Sequence, residues 1–339
     1  LIPRALVSCL SPDTRTTLFG QTFSLPFGIA PTGLSNLIRH GTDLALASAG
    51  AKANIPYSLS TAGTTSIEKI AKQAREHTWF QLYVGEDPAV VDDLLRRAAA
   101  SGLATLLVTA DVPAPGKRVR DIVNGLSLPL RPSLPMAADV ALHPQWLIQL
   151  LKGGMPELET ISPYFKDDRE KPSGAQIARR VSSPRLNWDE LSAIRDKWAG
   201  PVVLKGVLNP RDAERAAAMG LDGIVVSNHG GRQLDCAPAT IDVLPLVKEA
   251  VGGRVKIIFD SGIRSGDDIA RALVRGADFV LAGRAFLYAV GALGLNDGPA
   301  RAIEILRSEL LNTMAHLGCE TTADLRQVEQ WPGKCLHCG

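Results

Sequence analysis

Residues 226–235, VSNHGGRQLD, set an imidazole, His229, and a guanidinium, Arg232, just beyond an apolar run at 223–226. Two glycines lie between them, so the backbone can turn sharply and offer both side chains to one point. An imidazole takes a proton near neutral pH. A guanidinium holds a carboxylate through two parallel hydrogen bonds. A base beside a carboxylate clamp is what oxidation of a 2-hydroxy acid requires. The competing reading is a glycine-rich turn whose His and Arg are merely solvated.

Elements that place such a pair recur along the chain. Short apolar or β-branched runs lie at 27–31, 57–60, 79–84, 105–111, 202–207, 223–228, 255–260 and 279–283. Helical patterns lie between them, at 42–53, 66–75, 88–101, 189–198, 210–219, 240–251 and 265–275, with a last helix at 299–317. Apolar strands alternating with amphipathic helices predict a parallel sheet. Eight such units favour an α/β fold of the closed (β/α)8 barrel kind, as one domain over residues 1–339. No glycine fingerprint for a dinucleotide follows the first run. The interval from Asp111 to Val202 is far longer than a βα unit needs. Its part at 124–184 is rich in Pro, Gly and Ser, with an amphipathic piece at 139–152. This excursion after strand 4 reads either as a lid on the barrel mouth or as a segment shallowly buried in a membrane surface.

In such a barrel the active site lies at the C-terminal strand ends. The runs deliver Pro31, Thr32 and Gly33; Ser60; Gln81 and Tyr83; Thr109 and Asp111; Lys205; Ser227 ahead of His229; Asp260, Gly262 and Arg264; and Gly283 with Arg284. The loops after the last two strands often bind phosphate, and glycines next to Arg264 and Arg284 suit that role. The plainer reading leaves both arginines as surface charges. Lys205 serves either as a Schiff-base nucleophile or as a fixed cation beside a flavin ring, and the neighbouring His229 and Arg232 favour the flavin. Asp111 is expected to fix the tautomer of His229, although an aspartate before Pro113 also starts a turn.

Composition narrows the class. The chain has 339 residues, 45% hydrophobic and 21% charged, the balance of a soluble globular protein. A formal net charge of +2 gives no footprint for nucleic acid. Five scattered cysteines do not read as a disulfide framework, which favours a reducing compartment. Cys335 and Cys338 form one terminal C-x-x-C, a weak metal signal beside the plainer reading of two incidental thiols, and no metal is expected. The apolar tract 279–295 is interrupted by Arg284 and glycines and does not read as a membrane span.

Taken together, APTG (30–33), LST (59–61), WFQLYV (79–84), the Asp111…Arg118…Asp121 run, LKGV (204–207), VSNHGGRQLD, DSGIRSG (260–266) and AGRAFLY (282–288) resemble the FMN-dependent 2-hydroxy acid oxidase and dehydrogenase family, over residues 3–318. The resemblance implies FMN as cofactor and an L-2-hydroxy acid, of lactate or mandelate type, as substrate. His229 would be the base, paired with Asp111. Arg232 and Arg118 would bind the substrate carboxylate, with Tyr83 and Gly33 also at the substrate. Pro31, Thr32, Gly33, Ser60, Gln81, Thr109, Lys205 and Ser227 would surround the flavin and its ribityl chain. Asp260, Gly262, Arg264, Gly283 and Arg284 would hold its phosphate end. The proton taken by His229 comes either from the hydroxyl, with hydride transfer, or from the α-carbon, through a carbanion.

Branches of the family differ at readable positions. Members that react quickly with oxygen often have alanine at the position of Gly33, and glycine is the dehydrogenase pattern. Ala62 replaces a bulky residue of glycolate oxidase and leaves room for a larger substrate. ALHPQW and KGGMPEL resemble bacterial dehydrogenases that dock on the membrane. Electrons would then pass to a quinone or another acceptor, in a homo-oligomer, a tetramer on the family pattern, that is cytoplasmic or peripheral on the inner face of the membrane. The alternatives are an oxidase making hydrogen peroxide, a phosphate-binding lyase or isomerase working through Lys205, and an inactive remnant. The family's N-terminal helical segment has no counterpart ahead of Pro3. On the family pattern its loss uncovers the barrel floor and removes one substrate-binding tyrosine.

Overall fold

The computed structural model describes residues 1–114, 116, 118–125, 133–165 and 185–331. Eight strands form the centre: β1 (Phe27–Ile29), β2 (Tyr57–Ser60), β3 (Thr78–Leu82), β4 (Leu106–Thr109), β5 (Val202–Val207), β6 (Gly223–Val226), β7 (Lys256–Phe259) and β8 (Phe279–Ala282). They pair in chain order, all parallel, and β8 closes on β1. This is the (β/α)8 barrel that the strand rhythm predicts.

Six of the eight strands are shorter than their apolar runs, and β2 and β5 match theirs. Pro31, Tyr83, Asp111 and Asn228 lie in the loops beyond them. That is the useful outcome, because polar residues past the last ladder bond are free to face the barrel mouth.

Side chains alternate along each strand. Those pointing out, among them Phe80, Val108, Leu204, Ile224 and Ile257, pack under the helices in the main core. Trp79, Leu107, Val203, Val225, Ile258 and Phe279 form a separate inner cluster. Two residues further along each of β3 to β7 the same face turns polar, giving Gln81, Thr109, Lys205, Ser227 and Asp260. The barrel is therefore dry below and hydrogen-bonding above.

Among the described residues the helices are α1 (Thr42–Lys52), α2 (Ile67–Ala74), α3 (Pro88–Ala100), α4 (Val119–Val123), α5 (Leu134–Leu142), α6 (Pro144–Gly153), α7 (Trp188–Lys197), α8 (Pro210–Ala218), α9 (Thr240–Val251), α10 (Gly266–Val274) and α11 (Arg284–Leu317). Their starts follow from local chemistry. Ser66, Asp87, Asn187 and Asn209 cap α2, α3, α7 and α8, and proline opens α3 and α8. Ser265 and Asp268 form a reciprocal capping box on α10.

Three expectations are corrected. The last helical segment begins at Arg284 rather than at residue 299, and it is two helices joined across a kink at Gly294, which is non-helical at φ 84°; the expected last helix lies within the second. The amphipathic piece at 139–152 is two helices, α5 and α6, separated at His143, where Pro144 opens the second. The barrel floor is not open. A hairpin of Thr16–Leu18 and Gln21–Phe23 turns through Phe19 and Gly20, both at positive φ. It inserts Leu18 and Phe23 against Trp79 and Phe279, with Phe23 and Phe279 ring centres 5.6 Å apart. Truncating Phe23 to alanine would open a void there at a cost of about 3–5 kcal/mol. Much of the excursion, residues 126–132 and 166–184, and the Cys335–Cys338 pair lie outside the described residues.

Candidate active site

The mouth of the barrel holds a cavity of about 600 Å³. It is lined by Pro31, Thr32, Gly33, Ser60, Gln81, Tyr83, Thr109, Arg118, Lys205, His229, Arg232, Asp260, Gly262, Arg264, Gly283 and Arg284. Every site residue expected from the sequence lies there except Asp111 and Ser227. Those two stand behind the lining and act on residues that form it.

His229 is held from both sides. Its Nδ1 lies 3.0 Å from Asp111 Oδ1, and its Nε2 lies 3.3 Å from the Tyr83 hydroxyl. Burial works against the charge on Asp111, but the His229 hydrogen bond and the positive charge of Lys205 outweigh it and keep the carboxyl below its ordinary value. An ionised carboxylate only accepts hydrogen bonds, so Nδ1 carries the proton and Nε2 keeps its lone pair. Nε2 is thus the basic atom.

The backbone at His229 is left-handed, φ 58°, which costs a non-glycine residue on the order of 1–2 kcal/mol. The loop is pinned to sustain it. The His229 amide donates to Ser227 Oγ at 3.1 Å. The Asn228 and Gly230 amides donate to Ser261 Oγ, and Arg284 donates to the Gly230 carbonyl at 2.8 Å. Ser261 escaped the sequence reading as an organiser of this loop. Its hydroxyl also donates to neighbouring Asp260 at 2.8 Å, but the two loop amides it accepts from lie about thirty residues away, so no local pattern marks that role.

Lys205 is buried, 2.9 Å from Asp260 Oδ2 and 2.9 Å from Ser227 Oγ. Burial alone would lower its ammonium, but Asp260 and Asp111 together hold it above its ordinary value. Asp111 reaches this region because Gly206 makes room. A Cβ there would come within 2.5 Å of Asp111 Cβ. A Schiff-base nucleophile needs a neutral amine. Lys205 is a fixed cation, and the lyase alternative loses its nucleophile.

On the opposite wall Ser60 donates to Gln81 Oε1 at 2.8 Å, and Gln81 Nε2 donates to Thr109 at 2.9 Å. The Pro31–Gly33 loop rests on a buried network. Thr32 and Ser35 share a hydroxyl contact of 2.9 Å, the Asn36 amide donates to Thr64, and Thr64 and Tyr57 donate to buried Asp43.

The two guanidiniums differ. Arg232 gives Nη2 to Asp121 Oδ2 at 3.2 Å. Arg118 is lowered from its ordinary value by desolvation and then by the positive charge of Arg232. Gln233, Gly116 and Leu158 also line the cavity, and neither residue type nor spacing marks them as site residues in the sequence.

A family model described as FMN-dependent dehydrogenase matches residues 1–331. The chain belongs to the FMN-dependent dehydrogenase family. Its cofactor is accordingly FMN, and it is an oxidoreductase. Among its relatives, the L-lactate dehydrogenase of Ectopseudomonas mendocina (strain ymp) is 40% identical over 329 residues, 95% of this chain and 85% of the relative. The L-lactate dehydrogenase of Stenotrophomonas maltophilia (strain R551-3) is 41% identical over 327 residues, with the same shares of each chain. Among solved structures, the monotopic membrane protein (S)-mandelate dehydrogenase superposes with a TM-score of 0.88 at 36% identity, covering 95% of this chain and 85% of that one. A mandelate oxidase superposes with a TM-score of 0.80 at 34% identity, covering 97% and 85%.

Proposed function

We propose that this protein oxidises an L-2-hydroxy acid, of lactate or mandelate type, to the 2-oxo acid and passes the electrons to a quinone or a similar acceptor. The observation that carries this reading is a cavity bearing the unprotonated Nε2 of His229, the Asp111 carboxylate behind it, and the guanidiniums of Arg232 and Arg118 beside it.

The residues present fit FMN. The neutral wall of Ser60, Gln81 and Thr109 and the fixed charge of Lys205 suit the polar edge of an isoalloxazine ring, and Thr32 and Gly33 form a backbone wall for its face. Gly262, Arg264, Gly283 and Arg284 suit a phosphate, helped by the N-terminus of α11. When bound, FMN supplies the two-electron redox chemistry.

The chain's own groups do the rest. Arg232 and Arg118 fix the carboxylate and so orient the α-carbon. His229 Nε2 removes a proton, and Asp111 stabilises the imidazolium that results. Tyr83, held protonated by burial with a hydroxyl pushed up to about 12, donates a hydrogen bond to the substrate oxygen. The same base serves removal of either the hydroxyl proton or the α-hydrogen.

The dehydrogenase reading, in preference to an oxidase, rests on Gly33. A Cβ there would lie 3.1 Å from Ala62 Cβ and 3.3 Å from its carbonyl oxygen, so the alanine of fast-reacting oxidases enters this loop only if Ala62 gives by a few tenths of an ångström. Ala62 and Leu158 leave an apolar side to the cavity for the substrate's side chain.

Membrane attachment is part of the proposal. The α5–α6 segment exposes Leu134, Leu142, Ile148, Leu151 and, just beyond it, Met155. No helix among the described residues is long and apolar enough to cross a membrane, so contact would be peripheral.

The test is FMN content by absorbance, turnover on lactate, glycolate, mandelate and longer acids, and a comparison of oxygen with quinone and dye acceptors. Turnover with quinone far above that with oxygen is expected. Bound FMN with no acid oxidised would sink the proposal.

A further inference from the structure

Gln233 carries the one cavity-lining amide among the described residues whose Oε1 and Nε2 are both buried and without a hydrogen-bond partner. Buried polar groups in native proteins are almost always paired, and an orphan calls for an absent ligand or water. Its surroundings favour a particular ligand. Arg232 precedes it in the chain, and Arg118 and His229 share the cavity with it.

The space for this amide is built. Gly116 packs directly against it, and a Cβ at Gly116 would lie 2.5 Å from Gln233 Oε1 and 2.8 Å from Gln233 Cα. A larger residue at 116 would push the amide out of its place.

The two guanidiniums are already committed in different ways. Arg232 gives one Nη2 hydrogen to Asp121 and keeps its other N–H groups for a carboxylate. Arg118 is lowered from its ordinary value by desolvation and then by Arg232, with Asp121 and Tyr83 pulling the other way, so the two guanidiniums repel each other across this part of the cavity. A neutral NH2 beside these two cations can serve a second carboxylate oxygen without adding to their repulsion.

We propose that Gln233 is a third carboxylate-binding group, whose Nε2 donates to the substrate carboxylate while its carbonyl accepts from Arg118. This deepens the proposed function and rests on it, since the carboxylate is that of the 2-hydroxy acid.

The test compares wild type with Gln233→Leu and Gln233→Glu, using whichever of lactate and mandelate the wild type oxidises together with its methyl ester. A residue that only fills space affects acid and ester alike. A carboxylate ligand does not. The preference for acid over ester is expected to fall by about thirty-fold in Gln233→Leu, the scale of a lost hydrogen bond to a charged acceptor, with FMN content unchanged. Gln233→Glu should lose more, because its charge repels the acid. In parallel, the product 2-oxo acid is titrated into each oxidised protein and followed by flavin absorbance. Its Kd should rise by a similar factor in Gln233→Leu. An unchanged acid preference with an unchanged Kd overturns the proposal. Failure of the wild type to oxidise any 2-hydroxy acid overturns the function instead, and the titration still decides whether Gln233 binds a carboxylate.

Discussion

Asp111→Asn tests the core of the mechanism because it removes a charge and little else. Asp111 Oδ1 lies 3.0 Å from His229 Nδ1, and both side chains are largely shielded from water, at 12% and 19% exposure. When His229 takes a proton, the pair becomes carboxylate and imidazolium. With charge centres about 4 Å apart and an effective dielectric of about 20, their attraction is about 4 kcal/mol. An asparagine at the same place keeps a neutral hydrogen bond worth about 1 kcal/mol. The difference, about 3 kcal/mol, predicts a fall of about a hundred-fold in kcat/KM. If the new amide turns its NH2 toward Nδ1, the tautomer inverts and Nε2 carries the proton. The loss then approaches about ten-thousand-fold, the scale recorded for the same exchange in a Ser-His-Asp triad. Lys205 keeps Asp260 and Ser227, so FMN should remain bound. The assay is steady-state oxidation with a dye acceptor, with flavin absorbance and thermal melting as controls. An Asp111→Asn protein that holds FMN and turns over within about three-fold of wild type would refute the pairing as a source of rate.

Other outcomes follow from the same geometry. Arg232→Lys should raise KM and lower kcat, since a point charge reproduces neither the carboxylate fork nor the Asp121 contact; steady-state kinetics equal to wild type would count against the clamp. Arg264→Ala should weaken FMN by about ten- to a hundred-fold and leave KM for the acid nearly unchanged in FMN-saturated protein; a normal flavin content after dialysis would remove Arg264 from the phosphate end. Burial raises the Tyr83 hydroxyl to about 12, with Lys205, Arg118 and Arg232 pulling against it. A folded value above the unfolded value near ~10 stabilises the fold fully below that pH and loses the effect as pH rises toward 12. Tyr83→Phe should therefore melt with a shallower decline between pH 9 and 11 than wild type, and parallel melting curves would contradict the assignment.

Much of this architecture is legible in the sequence because it depends on short-range pattern. Val202–Val207 and Gly223–Val226 announce themselves as strands by composition, and the helix starts at Pro88, Pro210 and Ser265 announce themselves by cap chemistry. The floor hairpin is not legible in this way. Its strands are three residues each, too short for a period, and its turn relies on a phenylalanine at positive φ. The start of α11 is hidden for a related reason. No side-chain cap precedes Arg284, Gly294 is a true kink that separates the first helical piece from the second, and Pro299 looks like a further break yet falls inside the helix. The catalytic contacts are hidden differently. Asp111 and His229 are 118 positions apart, and Tyr83 and His229 are 146 apart. Residue types nominate these groups, and only barrel closure brings them within reach. Gln233 escapes because its significance lies in lacking a partner, which no pattern of residue types can express.

Lys205 makes the point most sharply, since its local sequence serves two chemistries equally. Its role is decided by register. Lys205 pairs with Val225 on β6, and Val225 pairs with Ile258 on β7. The inward residues one layer higher on those strands are Ser227 and Asp260, and the long lysine stem reaches up to both. A slip of one residue in either pairing would turn Ser227 or Asp260 to the outer face and leave a buried ammonium without its carboxylate. Such an amine would drop toward the neutral form that Schiff-base chemistry uses. Gly206, which lets the Asp111 carboxylate approach, and the shift of register between Lys205 and Val207 hold the opposite condition in place. The choice between a nucleophile and a fixed cation is thus made by strand alignment, and the alignment here makes Lys205 a cation.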